Sequence, residues 1–340
     1  MSLVESARAA ESANAFDRIP IIDLGSLSGT DPEAKKALGD AIRDACMNVG
    51  FFYGSKVIVS NHGIPEGVIE KALSRSKEYF SLPLEEKMEL DIRKTPNFKG
   101  YNPVLSSNND PANRGDLHEG FEFGWEELQA KANDEKRAND GVMAGANVWP
   151  KNPSGFREDV LSYYHAAVQL GKTLFPLFAV ALDLPETYFD DKTRNSAAIM
   201  RVLHYPPQTG TVDDRIIGIG AHTEFCFTIL WQEPGIQALQ VLNKQNEWID
   251  APPIPGTLVV NLGDQFARWT NDVFKSTVHR AINRSGVRRY SIPLFFGTDY
   301  DVRLEPIPSC VSAERPPKYE VVTAGDYVKE RLAAAYGHQY

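Results

Sequence analysis

Ala221-His222-Thr223-Glu224-Phe225, Ser276-Thr277-Val278-His279-Arg280 and Arg289-Tyr290-Ser291 lie in the stretch that decides how this chain folds. In an extended strand, residues i and i+2 point to the same face. His222 and Glu224 can therefore aim an imidazole and a carboxylate at one point. His279 supplies a second imidazole from a later segment. Two histidines and one carboxylate are the ligand set of the facial triad, which holds Fe(II) and leaves coordination positions open. Arg289 and Ser291, again two apart, pair a guanidinium fork with a hydroxyl and suit a carboxylate.

Working outward, residues 198–296 read as short β-segments separated by Pro/Gly turns. That pattern fits a double-sheet jelly roll with a site between its sheets. Helical patterns flank it. Asp31 caps a helix with Pro32 at its first position, running to about Asn48. A second runs from Pro65 to about Phe80. A long amphipathic helix over 156–182 suits the outside of the sheet, and another helix follows Thr323. The expected class is α+β with a mostly β core: a double-stranded β-helix (jelly roll) with flanking helices. Residues 1–18 read as a flexible or loosely helical leader. Residues 19–150 read as an N-terminal α/β part and 151–340 as the jelly-roll core with its C-terminal helix, forming one compact unit. The Asn/Asp/Gly/Pro-rich segment 95–145 reads as an active-site lid.

The chain has 340 residues, 42% of them apolar, enough for a full core. Its formal charge of −9 argues against a nucleic-acid or anionic-membrane partner. No signal peptide or membrane-spanning run is evident. Three scattered cysteines suit a reducing cytoplasm, with Cys226 read as a small buried hydrophobe.

The chain resembles the Fe(II)/2-oxoglutarate-dependent oxygenases, in the branch of isopenicillin N synthase, and its fungal members in particular. The landmarks are Ile19-Pro20-Ile21-Ile22-Asp23-Leu24, Asn61-His62-Gly63-Ile64-Pro65, Tyr205-Pro206-Pro207, Asn261-Leu262-Gly263-Asp264 and Trp269-Thr270-Asn271-Asp272, with the stretch quoted above. The resemblance implies Fe(II) on His222, Glu224 and His279. It implies 2-oxoglutarate as cosubstrate, its far carboxylate on Arg289, Ser291 and Tyr205. O2 and a small organic substrate of secondary metabolism would complete the reaction, by hydroxylation, desaturation or ring formation. Strand parity from Tyr205 brings Leu203 and Arg201 to the same face, and parity from Arg289 brings Pro293 and Phe295. Arg201, Tyr101, Phe225, Phe227 and Phe295 are the substrate-side candidates. His62 and His204 read as structural, His118 and His165 as surface or lid residues.

Three departures from the family pattern stand out. Leu203 replaces an asparagine common in plant members. Residues 54–60 look too many. Glu224 replaces the usual aspartate, and Leu230-Trp231-Gln232 arrives one residue early. A deletion in the turn at Phe225-Cys226 would keep strand register. Glutamate's extra methylene would then restore reach to the metal; a tolerated swap and an altered, inactive form are the other two readings of this residue. Two alternatives remain open: an oxidase that omits 2-oxoglutarate, as isopenicillin N synthase does (Gln339 faintly resembles its terminal glutamine), or a non-catalytic binding homologue with an altered metal site.

Overall fold

The structure, a computed structural model, describes residues 2–13, 15–25, 31–55, 63–108, 115–128, 145–208 and 217–336. The N-terminal part runs α1 (Leu3–Ser12), β1 (Ile21–Asp23), α2 (Pro32–Asn48), β2 (Phe51–Ser55), α3 (Glu66–Phe80), α4 (Leu84–Met88), β3 (Gly100–Asn102) and β4 (Glu119–Gly124). Then follow α5 (Phe156–Ala181), β5 (Ala198–Tyr205), β6 (Ile219–His222), β7 (Phe227–Gln232), β8 (Leu239–Leu242), β9 (Trp248–Asp250) and β10 (Leu258–Asn261). The chain ends with α6 (Asp264–Trp269), β11 (His279–Ala281), β12 (Arg289–Phe296) and α7 (Ala324–Tyr336).

The strands form two sheets. The larger has the order β1-β2-β10-β7-β12-β5-β4-β3, and the smaller β6-β11-β8-β9. Residues of both line one cavity, so the site lies between the sheets, as in a double-stranded β-helix. The larger sheet takes β1 to β4 from the N-terminal part and adds them to both edges of the four later strands.

Alternation along β7 and β12 separates the cavity from the core. Thr228 and Phe295 face the cavity, while Phe227 and Phe296 face α5. There Phe175 and Phe178 meet the Phe227 ring, each at 5.5 Å between centroids. Gly171 lets α5 approach, since a Cβ there would lie 3.2 Å from the Phe296 ring. Burying each such ring contributes on the order of 1.5–3 kcal/mol. This apolar layer holds the larger sheet rigid behind the site.

Two expectations need correction. The leader is in part a docked helix: in α1, Ser2 accepts from the Glu5 amide at 3.2 Å while Glu5 accepts from the Ser2 amide at 2.7 Å, and Leu3 and Ala7 are buried. This capping box, Ser2-x-x-Glu5, was legible in the sequence. The segment read as a lid contains β3 and β4, which are paired strands of the main sheet. Residues 109–114 and 129–144 of that segment, and 56–60 of the extra-length stretch, lie outside the described residues. So do His62 and Gln339.

Candidate active site

β6 and β11 are antiparallel neighbours, with His222 directly opposite His279. Their rings lie 4.4 Å apart. Glu224 sits in the turn between β6 and β7, its Oε1 3.5 Å from His222 Nε2 and 3.4 Å from His279 Nε2. The two imidazoles are fixed from behind. His222 Nδ1 donates to the Gly220 carbonyl at 2.7 Å, and His279 Nδ1 to the Thr277 carbonyl at 3.1 Å. A carbonyl only accepts, so each Nδ1 carries the proton and each Nε2 lone pair is left for a metal.

Burial disfavours charge on all three groups. At Glu224 the two imidazoles outweigh burial and hold the carboxyl well below its usual range. At His222, Glu224 outweighs burial and raises the pKa; at His279, burial and the neighbouring imidazole lower it. Their ligand atoms all lie within 4.8 Å of one another. Two neutral imidazoles and one carboxylate are a donor set that fits Fe(II).

The turn carrying Glu224 is pinned by α6. The Asp264 amide donates to the Glu224 carbonyl at 2.7 Å, and the Gln265 amide to the Phe225 carbonyl at 3.1 Å. Asp264 also accepts from Thr223 Oγ1 at 3.0 Å. Gly263 permits this contact, because a Cβ there would fall 2.1 Å from the Cys226 carbonyl oxygen.

Deeper in the cavity, β12 and β5 pair with Arg289 opposite Tyr205 and Ser291 opposite Leu203. The Arg289 guanidinium lies over the Tyr205 ring, and the Tyr205 and Ser291 hydroxyls are 3.4 Å apart. Arg289 is 1% exposed, yet among the described residues its Nε and Nη1 have no partner and Nη2 reaches only Gln232 Oε1 at 3.4 Å. Unpaired donors on a buried cation are costly, and a carboxylate would satisfy both. Such a group fits 2-oxoglutarate.

The cavity measures about 270 Å³. Of the substrate-side candidates, Arg201, Phe225 and Phe295 line it. The Phe225 and Phe295 rings stack at 5.5 Å, and Arg201 pairs with buried Glu122 at 3.0 Å. Phe227 and Tyr101 do not line it. Phe227 is in the core against α5, because β7 starts after the turn and does not inherit the parity of Phe225. Tyr101 is on β3 at the far edge of the sheet, and its hydroxyl donates to Glu119. His118 is buried, with Nδ1 2.9 Å from the Gly218 carbonyl, and His165 is half-buried against Trp125. His118 does fall within the segment read as a lid, but it is buried there, and His165 is on α5 rather than in that segment. Cys226 is buried and His204 half-buried, both as structural groups, His204 beside Glu119 at 2.7 Å.

Sequence reading missed several lining residues. Thr228 and Asn261 are cross-strand neighbours whose Oγ1 and Nδ2 are buried without partners among the described residues. Register with Phe295 could have found Thr228. Ser107, Asn108, Arg331 and Leu332 also line the cavity. They come from a loop and from α7, and no spacing announces them.

A two-sheet β-helix enclosing a two-histidine, one-carboxylate cluster and a buried unpaired arginine defines a mononuclear non-haem metal oxygenase. Comparison agrees along nearly the whole chain. Residues 19–152 match the family described as non-haem dioxygenase in morphine synthesis N-terminal, and residues 196–298 the 2OG-Fe(II) oxygenase superfamily. The 2-oxoglutarate-Fe(II) type oxidoreductase hxnY of Emericella nidulans is 38% identical, covering 94% of this chain and 90% of that protein. The homoarginine-6-hydroxylase 2-ODD-233 of Oryza sativa subsp. japonica is 31% identical, covering 93% and 97%. Among solved structures, a full-length Neurospora crassa protein in complex with alpha-KG and thymine superposes with a TM-score of 0.79 at 27% identity, covering 93% and 96%. The chain belongs to the Fe(II)/2-oxoglutarate-dependent oxygenases. It is a dioxygenase that uses Fe(II), 2-oxoglutarate and a small-molecule substrate.

Proposed function

We propose that His222, Glu224 and His279 hold the Fe(II), and that Arg289, Ser291 and Tyr205 hold the far carboxylate of 2-oxoglutarate. The buried, unpaired Arg289 carries this reading. Thr228 Oγ1 and Asn261 Nδ2 are further donors for the cosubstrate and stand in for the hydrogen bond that Leu203 cannot make. When bound, the iron supplies oxygen activation coupled to conversion of 2-oxoglutarate to succinate and CO2. The chain's own residues set the geometry. The two β-strand histidines and the pinned Glu224 turn present one face of ligands, and the stacked Phe225 and Phe295 exclude water from the substrate side.

The substrate is a small organic molecule of fungal secondary metabolism, oxidised in the cytoplasm. A cavity of this size and a net charge of −9 support that reading over a macromolecule or nucleic acid. Among the described residues no helix is long and apolar enough to cross a membrane. Oxygen uptake with stoichiometric succinate release, on Fe(II) and 2-oxoglutarate, tests the function. Oxygen uptake without succinate would mean a cosubstrate-independent oxidase, and neither would mean a binding homologue.

A further inference from the structure

Arginines are the charged donors of the cavity wall, and four of them line it among the described residues. Three have defined work. Arg201 is neutralised by Glu122, with 3.0 Å between Nε and Oε1. Arg280 donates to Gln240 at 2.9 Å and stacks on Trp248 at 3.9 Å. Arg289 is assigned above to the cosubstrate. The fourth is Arg331, on the C-terminal helix.

Arg331 Nη2 lies 3.5 Å from Asp264 Oδ2 and 3.5 Å from the Thr223 carbonyl. Both exceed the roughly 2.7–3.2 Å of a well-formed N–H···O bond. Asp264 does not depend on Arg331, because Thr223 Oγ1 and Tyr327 OH donate to the same oxygen at 3.0 and 3.2 Å. The guanidinium can therefore turn to another acceptor and leave Asp264 satisfied. It stands at the metal end of the cavity, since Thr223 lies between His222 and Glu224. Its helix is anchored by Val328 and Leu332, 1% and 3% exposed, so the position of residue 331 is fixed.

We propose that Arg331 is a specificity-determining residue that receives a carboxylate of the substrate. This rests on the reading that Arg289 takes 2-oxoglutarate, which leaves Arg331 as the wall cation with the loosest contacts. A guanidinium fork matches one carboxylate. A phosphate dianion would add charge beside Glu224 and the cosubstrate's own carboxylates, which disfavours it. The substrate class is then a small organic acid.

The test uses the full chain loaded with Zn(II) and saturating 2-oxoglutarate, titrated by fluorine NMR with 4-fluorobenzoate and with 4-fluorobenzamide. The two probes share a shape and differ in charge. The wild type should bind the benzoate about tenfold more tightly than the amide. Arg331→Gln should bring the ratio near one with 2-oxoglutarate affinity unchanged, and Arg331→Lys should restore part of it. Equal affinities in the wild type, no benzoate binding, or a preference that survives Arg331→Gln would each overturn the assignment, leaving Arg331 a solvent-facing partner of Asp264. A wild type that does not bind 2-oxoglutarate contradicts the Arg289 clamp instead. The benzoate preference is then read on the Zn(II) protein alone, where Arg331→Gln still decides it.

Discussion

Glu224 stands where the resemblance implies an aspartate, and its surroundings argue that the extra methylene matters. Its carbonyl is tied to the Asp264 amide, and the adjoining turn presses on Gly263 so closely that no side chain fits there. The backbone cannot advance to compensate for a shorter acid. Glu224→Asp withdraws the carboxylate by about 1.3 Å. It should weaken metal binding on the order of tenfold or more, measured by titration with Fe(II) or Co(II) under anaerobic conditions. Tighter binding by Asp would end the compensation idea. Arg289 gives a second prediction. Its two unpaired nitrogens call for a bidentate partner, which lysine cannot provide. Arg289→Lys should raise the KM for 2-oxoglutarate on the order of tenfold and leave metal affinity nearly unchanged. An unaltered 2-oxoglutarate titration would refute the clamp.

At the scale of elements, strand parity carried most of what the sequence disclosed. Arg201, Leu203 and Tyr205 on β5, and Arg289, Ser291, Pro293 and Phe295 on β12, all line the cavity. Parity works there because each set lies within one uninterrupted strand. Phe227 reads as a cavity residue on its aromatic character alone, and it faces the core against α5. Parity said nothing of Tyr101, whose neighbours depend on which strand pairs with which. Arg331 and Leu332 were illegible for a similar reason: where α7 docks is decided by tertiary packing, with no local signal. The junction between β10 and α6 is the element-level hinge of the site. A Cβ at Gly263 would fall 2.1 Å from one backbone carbonyl oxygen and 2.6 Å from another. Gly263→Ala should cost at least about 1–3 kcal/mol, seen as a lower melting temperature, and should weaken metal binding by moving Glu224. Wild-type stability and metal affinity in that variant would show the junction to be compliant.

At the scale of the whole molecule, the site ties segments from both ends of the chain to one metal position. Asp116 is buried. Its Oδ1 accepts from the Gly220 amide at 2.8 Å, and the Gly220 carbonyl in turn orients His222. The Asp116 amide donates to Ser107 and the Leu105 amide to Asp116, so this loop, which brings Ser107 and Asn108 to the cavity, is tied to the strand bearing a proposed ligand. β4, only a few residues further on, is instead held by β3 and β5 on both sides. Its backbone order needs no ligand. Hydrogen exchange should therefore divide the segment first read as a lid. Amides of residues 104–108 and 115–117 should slow when metal, 2-oxoglutarate and substrate are present together, because fixing His222 stiffens β6 and the loop bonded to it. Amides of residues 119–124 should be slow throughout and unchanged. Equal exchange with and without ligands across 104–108 and 115–117 would show that these residues are a static wall of the cavity. Slowing that extended equally into β4 would mean that the whole segment closes as a unit, contrary to its place in the sheet.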